Sequence, residues 1–217
     1  MGKAAMTRHV DAHLRGEAGA GARGPGAGRA GPVGLHIVVD CPDAPVFWLH
    51  LDAPARATLA DLDAFLRRTW LECCGHMSAF EIGGVSYETE PMEAFHPAKG
   101  MDVALGEVLA PGVTFSHEYD FGTTTRLRLR TLSEGRGGPY RGKGWRSIRT
   151  LARNDPPRPV CAVCGASATR ICAQCYGDLG AWVCDACAPD HGCGEEMLLP
   201  FVNSPRCGLC GYTGEQW

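Results

Sequence analysis

The sequence lacks any apolar run approaching the roughly 20 residues that a membrane-crossing helix needs. Residues 1–35 also lack an apolar segment of the kind that directs secretion. The expectation is a chain that neither spans a membrane nor is exported, working in the cytoplasm. The familiar signatures of nucleotide and acyl chemistry are missing as well: there is no Walker loop, no dinucleotide fingerprint and no Gly-x-Ser-x-Gly elbow. Glycine-rich stretches near residues 20–34 and 135–144 lack a strand–helix setting, so they do not read as phosphate cradles. One echo of a zinc deaminase exists, a His among Cys ligands. The Glu that such chemistry needs beside the His is absent, because Gly192 and Cys193 follow His191. No nucleophile-plus-base pair is evident, and the reading leans away from an enzyme.

What is present is cysteine, unevenly placed. Of 12 cysteines among 217 residues, nine lie at or after residue 161. Eight of these form Cys-x-x-Cys pairs: Cys161/Cys164, Cys172/Cys175, Cys184/Cys187 and Cys207/Cys210. His191 and Cys193 stand between the third and fourth pairs. A Cys-x-x-Cys turn sets two thiolates on one side of a tight loop, which suits two corners of a tetrahedral zinc site. In a cytoplasmic chain, where thiols stay reduced, ligands are a better reading than disulfides. Thiolate-rich four-coordinate sites select zinc or iron–sulfur, and the His and the short knuckle turns favour zinc. Two closed, structural Zn2+ sites are expected, so this module should unfold without metal.

The spacings imply interleaved pairs. The simplest cross-brace joins first with third and second with fourth. Cys161, Cys164, Cys184 and Cys187 then hold one ion, and Cys172, Cys175, His191 and Cys193 the other. In the competing wiring Cys207 and Cys210 complete a site in place of His191 and Cys193. Cys210 stays among the candidate ligands. Cys73, Cys74 and Cys41 read as small buried core residues. His76, His117, Glu118 and Asp120 read as hydrogen-bonded turn and sheet-edge residues, Asp120 accepting backbone N–H groups at its turn.

Charge is segregated, although the net is only −3. Residues 34–125 carry 14 acidic and four basic side chains, whereas residues 126–153 carry nine basic and one acidic. In the basic band Arg126, Arg128 and Arg130 alternate and would project from one strand face. Arg141, Lys143, Arg146 and Arg149 continue the band, with Tyr140 and Trp145 interleaved. Such a band can track a nucleic-acid backbone, or its arginines can pair with the acidic domain. The partner expected is a protein, with nucleic acid as the alternative.

Along the chain, residues 1–33 read as a disordered Gly/Ala/Arg tail. Strands are expected at 35–41 and 46–51, and a helix from Thr58, its N-cap, through Leu59, Leu62, Phe65, Leu66 and Trp70. Asp63 and Arg67 would pair on its wet side. A hairpin at 79–87 turns at Gly83-Gly84; a short helix follows at 103–109, then strands at 113–119 and 124–132. The fold expected is α+β: a grasp-like sheet wrapping one main helix over 34–132, a basic linker at 133–159 with a short strand or helix at 145–151, and a zinc-binding module at 160–217.

Several of these stretches together resemble one bacterial family. Thr58-Leu-Ala-Asp-Leu62, Trp70, His76-Met-Ser-Ala-Phe-Glu-Ile-Gly-Gly-Val-Ser-Tyr87 and Phe115-Ser-His-Glu-Tyr-Asp-Phe-Gly122 are similar to the plasmid open-reading-frame-three-like group. That group is named from a root-inducing plasmid and is also known as an insertion-element passenger protein. The resemblance covers about residues 34–132, with Tyr119-Asp-Phe-Gly122 its most specific mark. It implies an α+β domain and no assigned activity. The family run continues after the Gly with Asp, Trp and His, where this chain has Thr123-Thr-Thr-Arg126. The ending Asn203-Ser-Pro-Arg-Cys-Gly-Leu-Cys-Gly-Tyr212 looks like the zinc-bearing branch of the group. In that branch the position of Cys207 need not be Cys, which implies that Cys207 is not a ligand and favours the cross-brace.

Overall fold

The computed structural model describes residues 4–10, 12, 33–91, 97–136, 140–178 and 180–214. Its larger part is α+β, built on an eight-stranded sheet of order β5-β4-β3-β6-β7-β1-β2-β8. The strands are β1 Val33–Asp40, β2 Trp48–Pro54, β3 Ser78–Ile82, β4 Val85–Glu88, β5 Lys99–Gly100, β6 Thr114–Tyr119, β7 Thr125–Arg136 and β8 Arg149–Arg153. Every pairing is antiparallel except β4 with β5. A three-stranded antiparallel sheet, β10-β9-β11, forms the C-terminal module from β9 Arg170–Cys172, β10 Trp182–Val183 and β11 Leu198–Pro200. No helix among the described residues is long and apolar enough to cross a membrane.

β1 and β2 are buried on both faces. Side chains alternate along a strand, so Leu35, Ile37, Val39, Leu49, Leu51 and Ala53 enter the main core. His36, Asp40, His50 and Asp52 face the other way yet are also buried. Part of their cover comes from a helix at residues 4–10, α1, which buries Val10 and sets Thr7 Oγ1 3.3 Å from His50 Nε2. The tail expected at 1–33 is therefore helical at its start, while its Gly-rich stretch at 13–32 lies outside the described residues. Further cover comes from Tyr140, whose hydroxyl donates to Asp52 Oδ1 at 2.6 Å, and from Arg149, which pairs with the same carboxylate. The sheet takes in β8 within the stretch read as a linker, because β2 offers a free edge and β8 carries the arginine that Asp52 needs.

The main helix, α2 Leu59–Leu66, begins as its sequence indicates. Thr58 Oγ1 accepts the Asp61 N–H at 3.1 Å, and Asp61 Oδ2 accepts the Thr58 N–H at 3.0 Å. This reciprocal cap satisfies two otherwise orphaned donors. The helix widens into a π-helical turn, Arg67–Leu71, that brings Trp70 fully into the core. The short helix α3, Leu105–Val108, lies where its sequence places it. Gly83 and Gly84 both take positive φ in the β3–β4 turn, where residues with a Cβ are disfavoured.

Asp63 is not on the wet side of α2. Its side chain is 6% exposed; His117 Nε2 and Ser78 Oγ hydrogen-bond to it, each at 2.7 Å, and Arg67 Nε forms an ion pair with it at 2.7 Å. Position i+4 does bring Arg67 alongside, but β3 and β6 close over the pair. Burial works to raise the Asp63 pKa, and the His117 and Arg67 interactions override it and hold the group below its ordinary 3.8. A depressed folded-state pKa stabilises the fold above the unfolded value, and that stability is lost as pH falls through 3.8 and below. Asp63→Asn is expected to cost about 3–5 kcal/mol in urea unfolding near neutral pH, since it strands buried partners. The gap between wild type and variant should narrow as pH drops from about 6 to 3; metal loss in acid is common to both. A constant gap would show that Asp63 is not ionised.

Candidate metal centres

Three groups of Cys and His side chains converge among the described residues, and within each group all ligand atoms lie within 4.8 Å of one another. Two belong to the C-terminal module. Cys161, Cys164, Cys184 and Cys187 form the first, and Cys172, Cys175, His191 and Cys193 the second. This is the first-with-third, second-with-fourth arrangement.

Local backbone geometry builds both. In the first, Gly165 at φ +74° turns the chain so that its N–H reaches the Cys161 carbonyl at 2.9 Å. The Cys187 and Ala188 N–H groups return to the Cys184 carbonyl at 3.1 and 3.0 Å. Cys164 Sγ then sits 3.6 Å from Cys184 Sγ. In the second, Cys172 ends β9, and Cys175 Sγ lies 3.5 Å from Cys193 Sγ and 3.9 Å from His191 Nε2. β9 runs between the two groups, bonded through Thr169 to Val183 and through Cys172 to Ala181, so the sites share one small core.

The donor sets fit zinc. With Zn–S bonds of about 2.3 Å, tetrahedral sulfurs stand about 3.8 Å apart. The sulfur–sulfur separations of 3.6 and 3.5 Å are close to that edge. The thiols are also tuned unevenly. Backbone N–H groups of Cys164 and Cys184 lower Cys161 to about 6. Burial raises Cys172, yet the Cys175 N–H and His191 bring it down to about 7. Crowding by neighbouring sulfurs pushes Cys175 and Cys187 up to about 12. Thiolates that penalise one another this way are stabilised together by a divalent cation. A bound zinc would serve here as a closed structural crosslink.

Cys207 belongs to neither group. It is 7% exposed, packs with Ile171 and Ala181, and accepts the Val202 N–H at 3.5 Å. Burial raises its pKa, as expected of a core thiol. Cys41 is likewise buried in the main core.

Cys210 is brought to a different place. It joins Cys73, Cys74 and His76 just past α2. The sequence reads Cys73 and Cys74 as buried core residues. Cys74 is in fact exposed and Cys73 partly so, because the chain leaves the helix into a tight loop at the domain surface. A usable signal was present: three donors within four residues, Cys73-Cys74-x-His76, and a ninth module thiol left without a site. Asp120 is the turn acceptor expected, its Oδ1 taking the Gly122 and Thr123 N–H groups at 3.1 and 3.2 Å.

The basic band is arranged as its alternation indicates, with Arg126, Arg128 and Arg130 all exposed on β7. Two of the three are engaged: Arg126 Nε reaches Glu118 at 3.1 Å, and Arg128 forks onto both Asp40 oxygens at 3.0 and 3.2 Å. Arg149 is held by Asp52 and by the Tyr140 ring, and Arg146 stacks on Trp145 with its guanidinium 4.8 Å from the ring centre. Arg141 and Lys143 are exposed near the Tyr140 end.

No family model matches the chain, and no curated protein matches it. The crystal structure of a protein of unknown function, MM3350 from Methanosarcina mazei Go1, superposes with a TM-score of 0.47 at 14% identity. The match covers 57% of this chain and 70% of that one.

Cys184→Ser is expected to lower the metal content of the purified chain by one ion and to loosen the module, read as new protease cleavage between residues 160 and 200. Cys207→Ser is expected to leave metal content unchanged and to cost about 1 kcal/mol for a buried thiol replaced by a hydroxyl. Loss of an ion from Cys207→Ser would contradict the wiring.

Proposed function

We propose that the protein is a zinc-stabilised bacterial binding or adaptor protein. Its grasp-like α+β domain would hold a basic segment of a partner protein in an acidic groove, and its zinc module would keep the C-terminal third folded. Zinc as the metal, the plasmid open-reading-frame-three-like kinship and a cytoplasmic site of action belong to the same reading. A reducing compartment keeps the ligand thiols available.

The observation that supports it is the outer face of β4, β3 and β6. Register aligns Ala79 with Glu88 and Glu118, and Glu81 with Ser86 and Ser116. The small side chains of Ala79, Ser86 and Ser116 thus form a floor, and Glu81, Glu88 and Glu118 stand around it. A groove of about 640 Å³ results, closed at one end by Met77 and Phe121, which are 41% and 46% exposed. Exposed apolar side chains rimmed by one sign of charge match a segment carrying the opposite charge and an apolar anchor. On the next strand Arg126 and Arg128 are already turned onto carboxylates, which favours this reading over one in which the band follows a phosphate backbone.

A fluorescent peptide of alternating Lys/Arg and Leu tests the proposal. Binding is expected at low salt, weakening as ionic strength rises. Glu81→Lys combined with Phe121→Ala should weaken it about tenfold or more, as loss of a central anchor does. Binding of labelled DNA or RNA that depends on Arg128 and Arg130, with no peptide binding, would replace this reading by the nucleic-acid one.

A further inference from the structure

We propose that Cys73, Cys74, His76 and Cys210 form a third zinc site, and that this ion clasps the C-terminal module to the α+β domain. The geometry agrees with one tetrahedral ion. Cys73 Sγ lies 3.6 Å from Cys74 Sγ, and Cys74 Sγ lies 3.7 Å from Cys210 Sγ. These are close to the ~3.8 Å edge of a zinc–thiolate tetrahedron. His76 Nε2 stands 2.9 Å from Cys74 Sγ and 3.3 Å from Cys210 Sγ, so the ring nitrogen faces the same centre. The sulfur spacings match those of the two module sites.

The surroundings are built to hold these donors in place. Glu72 follows the π-helical turn, and its Oε1 accepts the Gly75 N–H at 2.6 Å and the Tyr119 hydroxyl at 3.0 Å. The Tyr119 oxygen in turn accepts the N–H of His76 at 3.3 Å and of Cys73 at 3.4 Å. Gly75, at φ +77°, lets the loop reverse so that residues 73, 74 and 76 converge. On the module side Cys210 takes φ +48°, a left-handed conformation uncommon for a residue with a Cβ and frequent where a site holds strain. A site of three thiolates and one neutral imidazole carries a net charge of −1. Arg206, already paired with Asp120, also turns its Nη2 to within 3.4 Å of Cys73 Sγ, a donor to that thiolate.

The third site differs from the other two in what it joins. Each module site draws its ligands from 161–193, a short stretch of chain, whereas Cys74 and Cys210 are 136 residues apart. An ion here closes a long loop between separately folded parts. Four protein ligands leave no open position, so the role is a clasp and not catalysis. With Cys74 and Cys210 exposed, this ion should be the first to leave under a chelator.

The test uses full-length protein kept reduced with a phosphine, so that no disulfide can mimic protection. Metal analysis is expected to return three zinc ions per chain. N-ethylmaleimide followed by peptide mass mapping should find Cys74 and Cys210 unmodified, although both lie at the surface. A brief chelator pulse should remove one ion and expose Cys73, Cys74 and Cys210 to alkylation while the seven cysteine ligands of the module stay protected. Cys210→Ser should hold two ions and keep the module's protease resistance. Two ions in the wild type, or alkylation of Cys74 and Cys210 before chelation, overturns the proposal. The mapping is done on the wild type, so a variant that fails to fold does not blunt it.

Discussion

The buried pair between Arg206 and Asp120 organises the joint between the two parts of this chain. Arg206 is fully buried, although it comes from the module. Its Nη2 donates to Asp120 Oδ2 at 2.5 Å, and its Nη1 donates to the Thr123 carbonyl and Thr125 Oγ1, both at 3.0 Å. Its guanidinium also lies 4.8 Å from the centre of the Tyr119 ring. A charge taken out of water is tolerated only when its hydrogen bonds are nearly complete, and stranding either partner costs about 3–5 kcal/mol. This one contact therefore ties the β6–β7 turn to the C-terminal segment. It holds Asp120 at φ 63°, and the Arg206 charge keeps the Asp120 carboxyl below its usual range although burial works to raise it. Beside it Ser204 Oγ donates to the Trp70 carbonyl at 2.6 Å, satisfying an acceptor in the last turn of the main helix. With Ser204 and Arg206 seated, Cys210 has little choice but to arrive at Cys74.

The Cys73, Cys74, His76 and Cys210 cluster and the acidic groove meet at the same place. His76 precedes Met77 and Asp120 precedes Phe121, and Met77 and Phe121 close one end of the groove. His76 Nε2 is 3.5 Å from Asp120 Oδ2, and the His76 ring stands edge-on to Tyr119 with centres 5.8 Å apart. The Tyr119-Asp-Phe-Gly122 motif therefore acts as a junction. Tyr119 orders the Cys73–His76 loop, Asp120 receives Arg206, Phe121 borders the groove, and the Gly122 N–H completes the turn. A second joint, where Asn154 Nδ2 donates to Asn203 Oδ1 at 2.8 Å, holds the module from the β8 side.

Much of the fold was legible where the signal is local. The Thr58 cap, the Gly83-Gly84 hairpin and the alternation on β7 each depend on residues a few positions apart, and each appears in the structure. The same holds for the interleaved Cys pairs. Features that depend on distant partners were not legible. Asp63 looked like half of a surface i,i+4 pair, because nothing near it in sequence reveals that His117 and Ser78 close over it. Residues 145–151 read as a short strand or helix within a linker, and only the pairing with β2 and Asp52 decides that 149–153 joins the sheet as β8. Cys73 and Cys74 looked like core thiols because free Cys is usually buried, and nothing near them in sequence shows that Cys210 arrives beside them.

By itself the sequence determined most helices and strands between residues 35 and 132, and that three of the four Cys-x-x-Cys pairs bring their thiols together. Capping, turn chemistry and Cys-x-x-Cys geometry all act over fewer than about ten residues and need no further context. Only the tertiary structure decided that Cys210 leaves its own Cys-x-x-Cys partner for Cys74, that Cys207 is packed away as a core residue, and that carboxylates from three strands surround one groove. Those outcomes rest on sheet register and on a buried arginine inserted from one part of the chain into the other.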